Sequence, residues 1–364
     1  MMNWITPNKK HTFISGPCSA ETEGQVIETA LRLKNTGSVD VFRAGIWKPR
    51  TRPGSFEGIG EIGLSWLKTV KEETGLPVMV EVARASHVEM CLRQGIDIMW
   101  IGARTTANPF AVQEIADALK GIDQPILLKN PINPDLNLWL GGMERLLKAG
   151  LTHIGAIHRG FSFTGEKIYR NRPQWQIAID FKTEMPDVLM ICDPSHICGN
   201  RTMLQQVAQK ALDLNFDGLM IESHITPDKA WSDAEQQVTP EAYAAMIDNL
   251  VFRDPQAAQS GIDPILEHFR GQIDLIDEEI VSILASRMQV VQAIGNYKKD
   301  KRMTILQAER WKEIFQKYVD SARQYGLGIE FITDIVKAIH NESIDQQERI
   351  LSASNKKISS TTKK

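Results

Sequence analysis

Cysteine is scarce in this chain, and an excess of charge of one sign is absent. Four cysteines, Cys18, Cys91, Cys192 and Cys198, occur in 364 residues without the spacing of a disulfide framework. That usage points to a reducing, cytoplasmic setting with free thiols. The formal net charge is −3, so no basic field suggests nucleic acid. No apolar run reaches the ~20 residues of a membrane span, and MMNWITPNKK lacks the apolar region of a signal peptide. What is present is ordinary for a soluble globular protein, 42% apolar and 24% charged.

The length exceeds what one core usually supports, so two domains are expected. Residues 1–253 hold eight short apolar runs: HTFISG, VDVFRAG, PVMVEV, IDIMWIGA, PILLKN, THIGAIHRG, VLMICDPSH and GLMIESH. Most are followed by a helix-like stretch. Eight strand–helix units predict an α/β fold, a (β/α)₈ TIM barrel. Residues 254–263, DPQAAQSGID, read as a linker. The pattern then changes to an all-α, three-helix domain over 264–352. Its first helix, from Pro264 to about Asp300, has apolar positions at three- and four-residue steps. It would be about 54 Å long, against partners of about 20 residues, so an intertwined homodimer is expected to cover its apolar stripe. The tail, 353–364, is polar and basic and is expected to be disordered.

Reactive groups cluster at the strand C-termini, where such barrels build active sites. Cys18, His196, Glu222 and Asp233 follow strands 1, 7 and 8, which are neighbours in a closed barrel. A thiolate, an imidazole and two carboxylates suit Mn²⁺, Fe²⁺, Co²⁺ or Zn²⁺. The same four also read as unrelated strand-end polar groups. The cations Arg43, Lys48, Arg50, Arg104, Lys129 and Arg159 come from four strand ends. Their convergence expects a substrate with several negative charges. A Schiff-base role for Lys129 is the alternative, and the crowd of cations and the metal set argue against it.

The segments GPCSAE (16–21), RAGIWKPRT (43–51), IGARTTANP (101–109), LLKNP (127–131), HRGFS (158–162), CDPSH (192–196), IESH (221–224) and SDAEQQVTP (232–240) together resemble the short, metal-dependent 3-deoxy-D-arabino-heptulosonate 7-phosphate synthases. The resemblance implies condensation of phosphoenolpyruvate with erythrose 4-phosphate. It implies phosphoenolpyruvate among Arg43, Lys48, Arg104, Lys129 and Arg159, the sugar phosphate near Arg50 and Thr51, and Cys18, His196, Glu222 and Asp233 as metal ligands. Lys48 is the candidate for proton delivery to the new alkoxide, and His158 for handling the water; His158 also reads as a structural histidine. The rival keto-octulosonate phosphate synthases would carry a KANRS-type segment where this chain has KPRT (48–51). TRPGSF, where related synthases often read TSPYSF, is a departure beside the sugar-phosphate loop.

In the helical part, the frame RGQIDLIDEEIVSILASR (270–287) and the positions after it resemble the all-helical chorismate mutases. The resemblance implies rearrangement of chorismate to prephenate. That reaction needs orientation and fixed charge rather than a nucleophile. It assigns Arg270, Arg287 and Arg310 to the carboxylates, one of them reaching across a dimer. Lys298 and Gln347 fall to the ether oxygen, and Ser343 beside a carboxylate. Gln307 stands where that family often has Asp, and Trp311 where it usually has Glu; Trp311 cannot accept a hydrogen bond. The competing reading makes the helices a non-catalytic dimerisation and sensor module. Prephenate or chorismate is the expected effector, acting allosterically on the synthase.

Overall fold

The protein is described here by a computed structural model, which describes residues 4–49, 54, 56–253, 264–306 and 308–358. Two compact units result, Met1–Pro255 and Gln256–Lys364. Arg50, Thr51, Gln307 and the linker 254–263 lie outside the described residues.

In chain order the first unit runs β1 (Thr12–Gly16), α1 (Glu23–Thr36), β2 (Val41–Ala44), α2 (Ile62–Thr74), β3 (Val78–Val82), α3 (Ala85–Gln94), β4 (Ile98–Ile101), α4 (Ala103–Thr106), α5 (Pro109–Ala118), β5 (Ile126–Lys129), α6 (Leu136–Lys148), β6 (Ile154–His158), α7 (Trp175–Glu184), β7 (Leu189–Cys192), α8 (Pro194–Cys198), α9 (Leu204–Asp213), β8 (Gly218–Glu222) and α10 (Pro240–Asp248). All eight strands fall inside the expected apolar runs. They pair in parallel, each with its sequence neighbour, and β1 pairs with β8 to close the barrel. Local chemistry agrees with these boundaries. Thr22, Asn108, Asp135, Asp193 and Thr239 cap helix N-termini, and Pro109, Pro194 and Pro240 occupy first helical turns.

Side chains alternate across each strand, so one set fills the barrel and the other packs under the helices. Ile14, Val41, Met79, Trp100, Leu127, Ile157, Ile191 and Met220, one from each strand, form the inner core. Trp4 and Ile5 pack against it, and Trp4 Nε1 donates to Ile154 O at 3.2 Å. Side chains seal the barrel, so its chemistry is confined to the strand C-termini.

The second unit comprises α11 (Pro264–Asp300), α12 (Ala308–Gln324) and α13 (Ile329–Ile358), with α13 packed against both others. The helix α13 runs to Ile358, past the expected domain boundary at 352. Much of α11's apolar stripe is uncovered within the chain: Ile273, Ile276, Ile280 and Ile283 are each at least half exposed. No described helix is long and apolar enough to cross a membrane.

Gly16 ends β1 with φ +148°, and a Cβ there would stand 2.0 Å from Arg43 O. Gly16→Ala is therefore expected to destabilise the barrel by more than about 1 kcal/mol, seen as a lower denaturant midpoint. An unchanged midpoint would show that β1 and β2 can separate here without penalty.

Candidate active sites

The tight turn at Gly16–Pro17 buries Cys18 completely beneath the barrel mouth. Glu222 ends β8 directly opposite Gly16, because β1 and β8 pair in register there. Asp233 follows in the loop after β8 with φ 51°, a left-handed conformation that a short polar side chain tolerates. One ligand atom from each of Cys18, Glu222 and Asp233 lies within 4.8 Å of the others. His196, on α8, stands beside them: its Nε2 is 3.8 Å from Glu222 Oε1, and its Nδ1 is 2.8 Å from Asp193 Oδ2. A carboxylate behind an imidazole is the arrangement that orients a ligating histidine. The donors fit a borderline divalent cation.

Glu222 is gripped on both oxygens, by Arg43 Nη1 at 2.8 Å and Gln236 Nε2 at 2.6 Å. Burial alone would raise its carboxyl, but His196 and then Arg43 hold it below the ordinary range. Burial likewise opposes ionisation of Asp233, and Arg170 and then His196 overcome it, keeping the carboxyl well below the usual range. The Cys18 thiol goes the other way. Burial, and then the neighbouring Glu222, push it up to about 12, although Lys48 Nζ lies 3.0 Å from its sulfur.

Above this cluster is a cavity of about 270 Å³ whose lining includes five cations, Lys48, Arg104, Lys129, Arg159 and Arg170, against two carboxylates, Glu81 and Asp233. Such a lining suits a small polyanion. Lys129 donates to Asp193 Oδ2 at 2.8 Å, and Arg159 donates to Asn171 Oδ1 at 2.6 Å. Two expectations are corrected. Arg43 does not line this cavity; it lies beneath, with its guanidinium 4.8 Å from the Trp100 ring centroid. His158 is not brought to the site either. Ile157 points into the barrel, so its neighbour His158 must point out. It is packed there among Trp139, Phe161, Trp175 and Phe216. Burial lowers it to about 3, so it is a neutral packing residue.

Sequence reasoning missed Arg170, Asn171, Glu81, Asp193 and Gln236. Arg170 pairs with Asp233 at 3.0 Å and also donates to Gln236 at 2.6 Å. Asp193 and Gln236 fall within CDPSH and SDAEQQVTP, so those motifs held the signal. Arg170 and Asn171 sit in the irregular β6–α7 segment and carried none.

In the helical unit, α11 and α13 bring together Arg287, Ser343 and Gln347, while Lys298 Nζ donates to Ile305 O at 2.5 Å. Arg287 Nη1 donates to Ser343 Oγ at 2.7 Å, and Gln347 Nε2 donates to Ser343 O at 3.0 Å. A Cβ at Gly295, one turn before Lys298, would lie 3.2 Å from Gln347 Cγ. Arg270 and Arg310 are not part of this seam; they are exposed and pair with Glu267 and Glu313. Trp311 stacks on His340 with centroids 3.9 Å apart.

The sequence profile of the DAHP synthetase I family matches residues 4–251. The chain belongs to that family. Residues 269–348 match chorismate mutase type II. The protein is thus a DAHP synthase barrel followed by a chorismate mutase domain. A phospho-2-dehydro-3-deoxyheptonate aldolase from Thermotoga maritima is 31% identical over 243 residues, 67% of this chain and 70% of the relative. A 2-dehydro-3-deoxyphosphooctonate aldolase from Desulfatibacillum aliphaticivorans is 28% identical over 260 residues, covering 65% and 90%. The crystal structure of the Thermotoga maritima DAHP synthase superposes with a TM-score of 0.59 at 30% identity, covering 66% of this chain and 68% of that one. In a chain of this family, the Cys18–Glu222–Asp233 cluster is consistent with a metal site.

A cation held by Cys18 must displace the thiol proton, whereas the Glu222 and Asp233 carboxyls are already held below their ordinary range. Apparent Co²⁺ affinity should therefore rise by about tenfold per pH unit between about pH 6 and 8. Titration through the thiolate charge-transfer band would measure it. A pH-independent affinity would remove Cys18 from the ligand set.

Proposed function

We propose that the cation-lined cavity is where phosphoenolpyruvate meets erythrose 4-phosphate. The observation that carries this is the placement of five cations directly over a Cys–Glu–Asp cluster. Arg104, Lys129 and Arg159 hold the phosphate and carboxylate of phosphoenolpyruvate, with Arg43 supplying positive charge from beneath. Arg50 and Thr51 are assigned to the sugar phosphate. Cys18, His196, Glu222 and Asp233 would hold Mn²⁺, Fe²⁺, Co²⁺ or Zn²⁺, which when bound supplies Lewis acidity toward the aldehyde.

The reaction joins the methylene carbon of phosphoenolpyruvate to the aldehyde carbon. Lys48 delivers a proton to the resulting alkoxide. Water adds at the second carbon of the enol, and inorganic phosphate leaves. Lys129 and Arg159, each tied to a buried partner, keep the enol phosphate oriented rather than mobile, which is where much of the rate arises.

The helical unit rearranges chorismate. Arg287 and Ser343 take one carboxylate, and Lys298 and Gln347 face the ether oxygen. Gln307 is assigned to the ring hydroxyl. Arg270 lies 17 residues before Arg287 on one continuous helix, about 25 Å away. It cannot serve its own seam, so Arg270 completes the site of a second copy, whose α11 also covers the exposed apolar stripe. Arg310 serves the second carboxylate. The domains span 1–253 and 264–352, and the protein works in the cytoplasm as a homodimer. Prephenate or chorismate bound at the helical site reports downstream supply and restrains the synthase. The coupling expected of such a link is about 1–3 kcal/mol.

Lys298→Ala is expected to slow the mutase by about 10²–10³ while sparing the synthase. A coupled chorismate-depletion assay checks it, and unchanged turnover would remove Lys298 from the site. Prephenate is expected to inhibit the synthase of the intact protein and to lose that effect in Arg287→Ala. Equal inhibition of both proteins would place the effector on the barrel.

A further inference from the structure

Trp47 and His87 lie almost perfectly face to face, with centroids 3.9 Å apart and planes inclined by 9°. Neither has a part in the chemistry above, yet Trp47 directly precedes Lys48. We propose that His87 is a positioning residue of the synthase. Through Trp47, it sets the turn after β2 that delivers Lys48 to Cys18.

His87 is a fixed platform. It sits in the first turn of α3 and is buried. Arg84 Nε donates to its Nε2 at 2.9 Å, and the Ala83 N–H points at its Nδ1 from 3.3 Å. A neutral imidazole carries one N–H and accepts at the other nitrogen. Both neighbours are donors, which disfavours a second ring proton and keeps the imidazole neutral. Burial, and then Arg84, lower His87 to about 4, so the ring stays neutral and keeps one face toward Trp47.

The turn that carries Trp47 is narrow. Gly45 O accepts from Ala20 N at 3.0 Å, Ile46 O accepts from Gly60 N at 2.9 Å, and Lys48 N donates to Glu57 O at 2.8 Å. Lys48 then folds back over Gly45, where a Cβ would lie 2.8 Å from its Nζ. This path sets Nζ 3.0 Å from Cys18 Sγ. The stack holds the residue next to Lys48. A shift of about 1 Å in a reacting group can cost about 10²-fold in rate. A purely structural stack would instead contribute stability and leave the chemistry of the folded fraction alone.

The inference rests on Lys48 acting in the condensation, and the test separates the two. His87→Ala and Trp47→Leu remove the stack; His87→Phe and Trp47→Phe keep an aromatic pair without the imidazole or with a smaller ring. All are compared in the full chain, with mutase turnover and thermal melting as controls. The expected result is a synthase kcat lower by about tenfold or more in the Ala and Leu variants, recovered to within about threefold in both Phe variants. Mutase turnover should be unchanged throughout. Should His87→Ala fail to fold, Trp47→Leu, at a partly exposed loop position, carries the same comparison. Full kcat in the Ala and Leu variants, with Lys48→Met inactive, overturns the positioning role alone. Phe variants as slow as the Ala and Leu variants overturn it too. Full kcat in Lys48→Met overturns both the positioning role and the assignment of Lys48.

Discussion

The buried pair of Arg43 and Glu222 is the constraint on which the barrel site depends. Both side chains are essentially excluded from water, and they meet at 2.8 Å. Removing one partner of such a pair strands the other charge, at about 3–5 kcal/mol. Arg43 is also braced over Trp100 and reaches Cys18 O at 3.4 Å. Glu222 is held on its other oxygen by Gln236. The pair therefore ties β2, β8 and the turn after β1 into one rigid base. Trp100 closes that base from below, so the charges above it cannot relax into the barrel. The cluster of Cys18, Glu222 and Asp233, with His196 against it, inherits its geometry from this arrangement.

Above the base, three of the cations that line the cavity have separate supports. Lys129 leans on Asp193, Arg159 on Asn171 and Arg170 on Asp233. Asp193 has two duties, since it also faces His196. Burial would raise its carboxyl, but His196 and then Lys129 hold it well below the ordinary range. One buried carboxylate thus couples the orientation of the polyanion site to that of the metal-facing imidazole.

The eight strands, the long helix and most cationic residues were legible in the sequence, because strand-end placement and helical periodicity are local patterns. Two things were not. His158 ends β6 just as Lys129 ends β5, and only counting alternation from Ile157 separates an outward side chain from an inward one. Arg170 and Asn171 sit in an irregular stretch whose path depends on packing against the β7 and β8 loops, for example through Asn171 Nδ2 to His196 O at 2.6 Å. In the helical unit the seam residues were readable from spacing, but Trp311's stacking partner His340 carried no pattern of its own.

The closure of β1 against β8 also has a temporal side. Cys18 and Asp233 are separated by almost the whole barrel sequence, yet their side chains touch at 3.3 Å. During synthesis, the thiol emerges long before either carboxylate that completes its surroundings. Domains fold as units while the chain is made, so this cation site comes into being only when the last strand docks. Until then Cys18 is a lone thiol in an unfinished sheet, and the nascent chain offers no complete divalent-ion site. Any cation bound at this cluster would therefore be acquired after closure of the barrel, at the end of the domain's folding rather than as its nucleus.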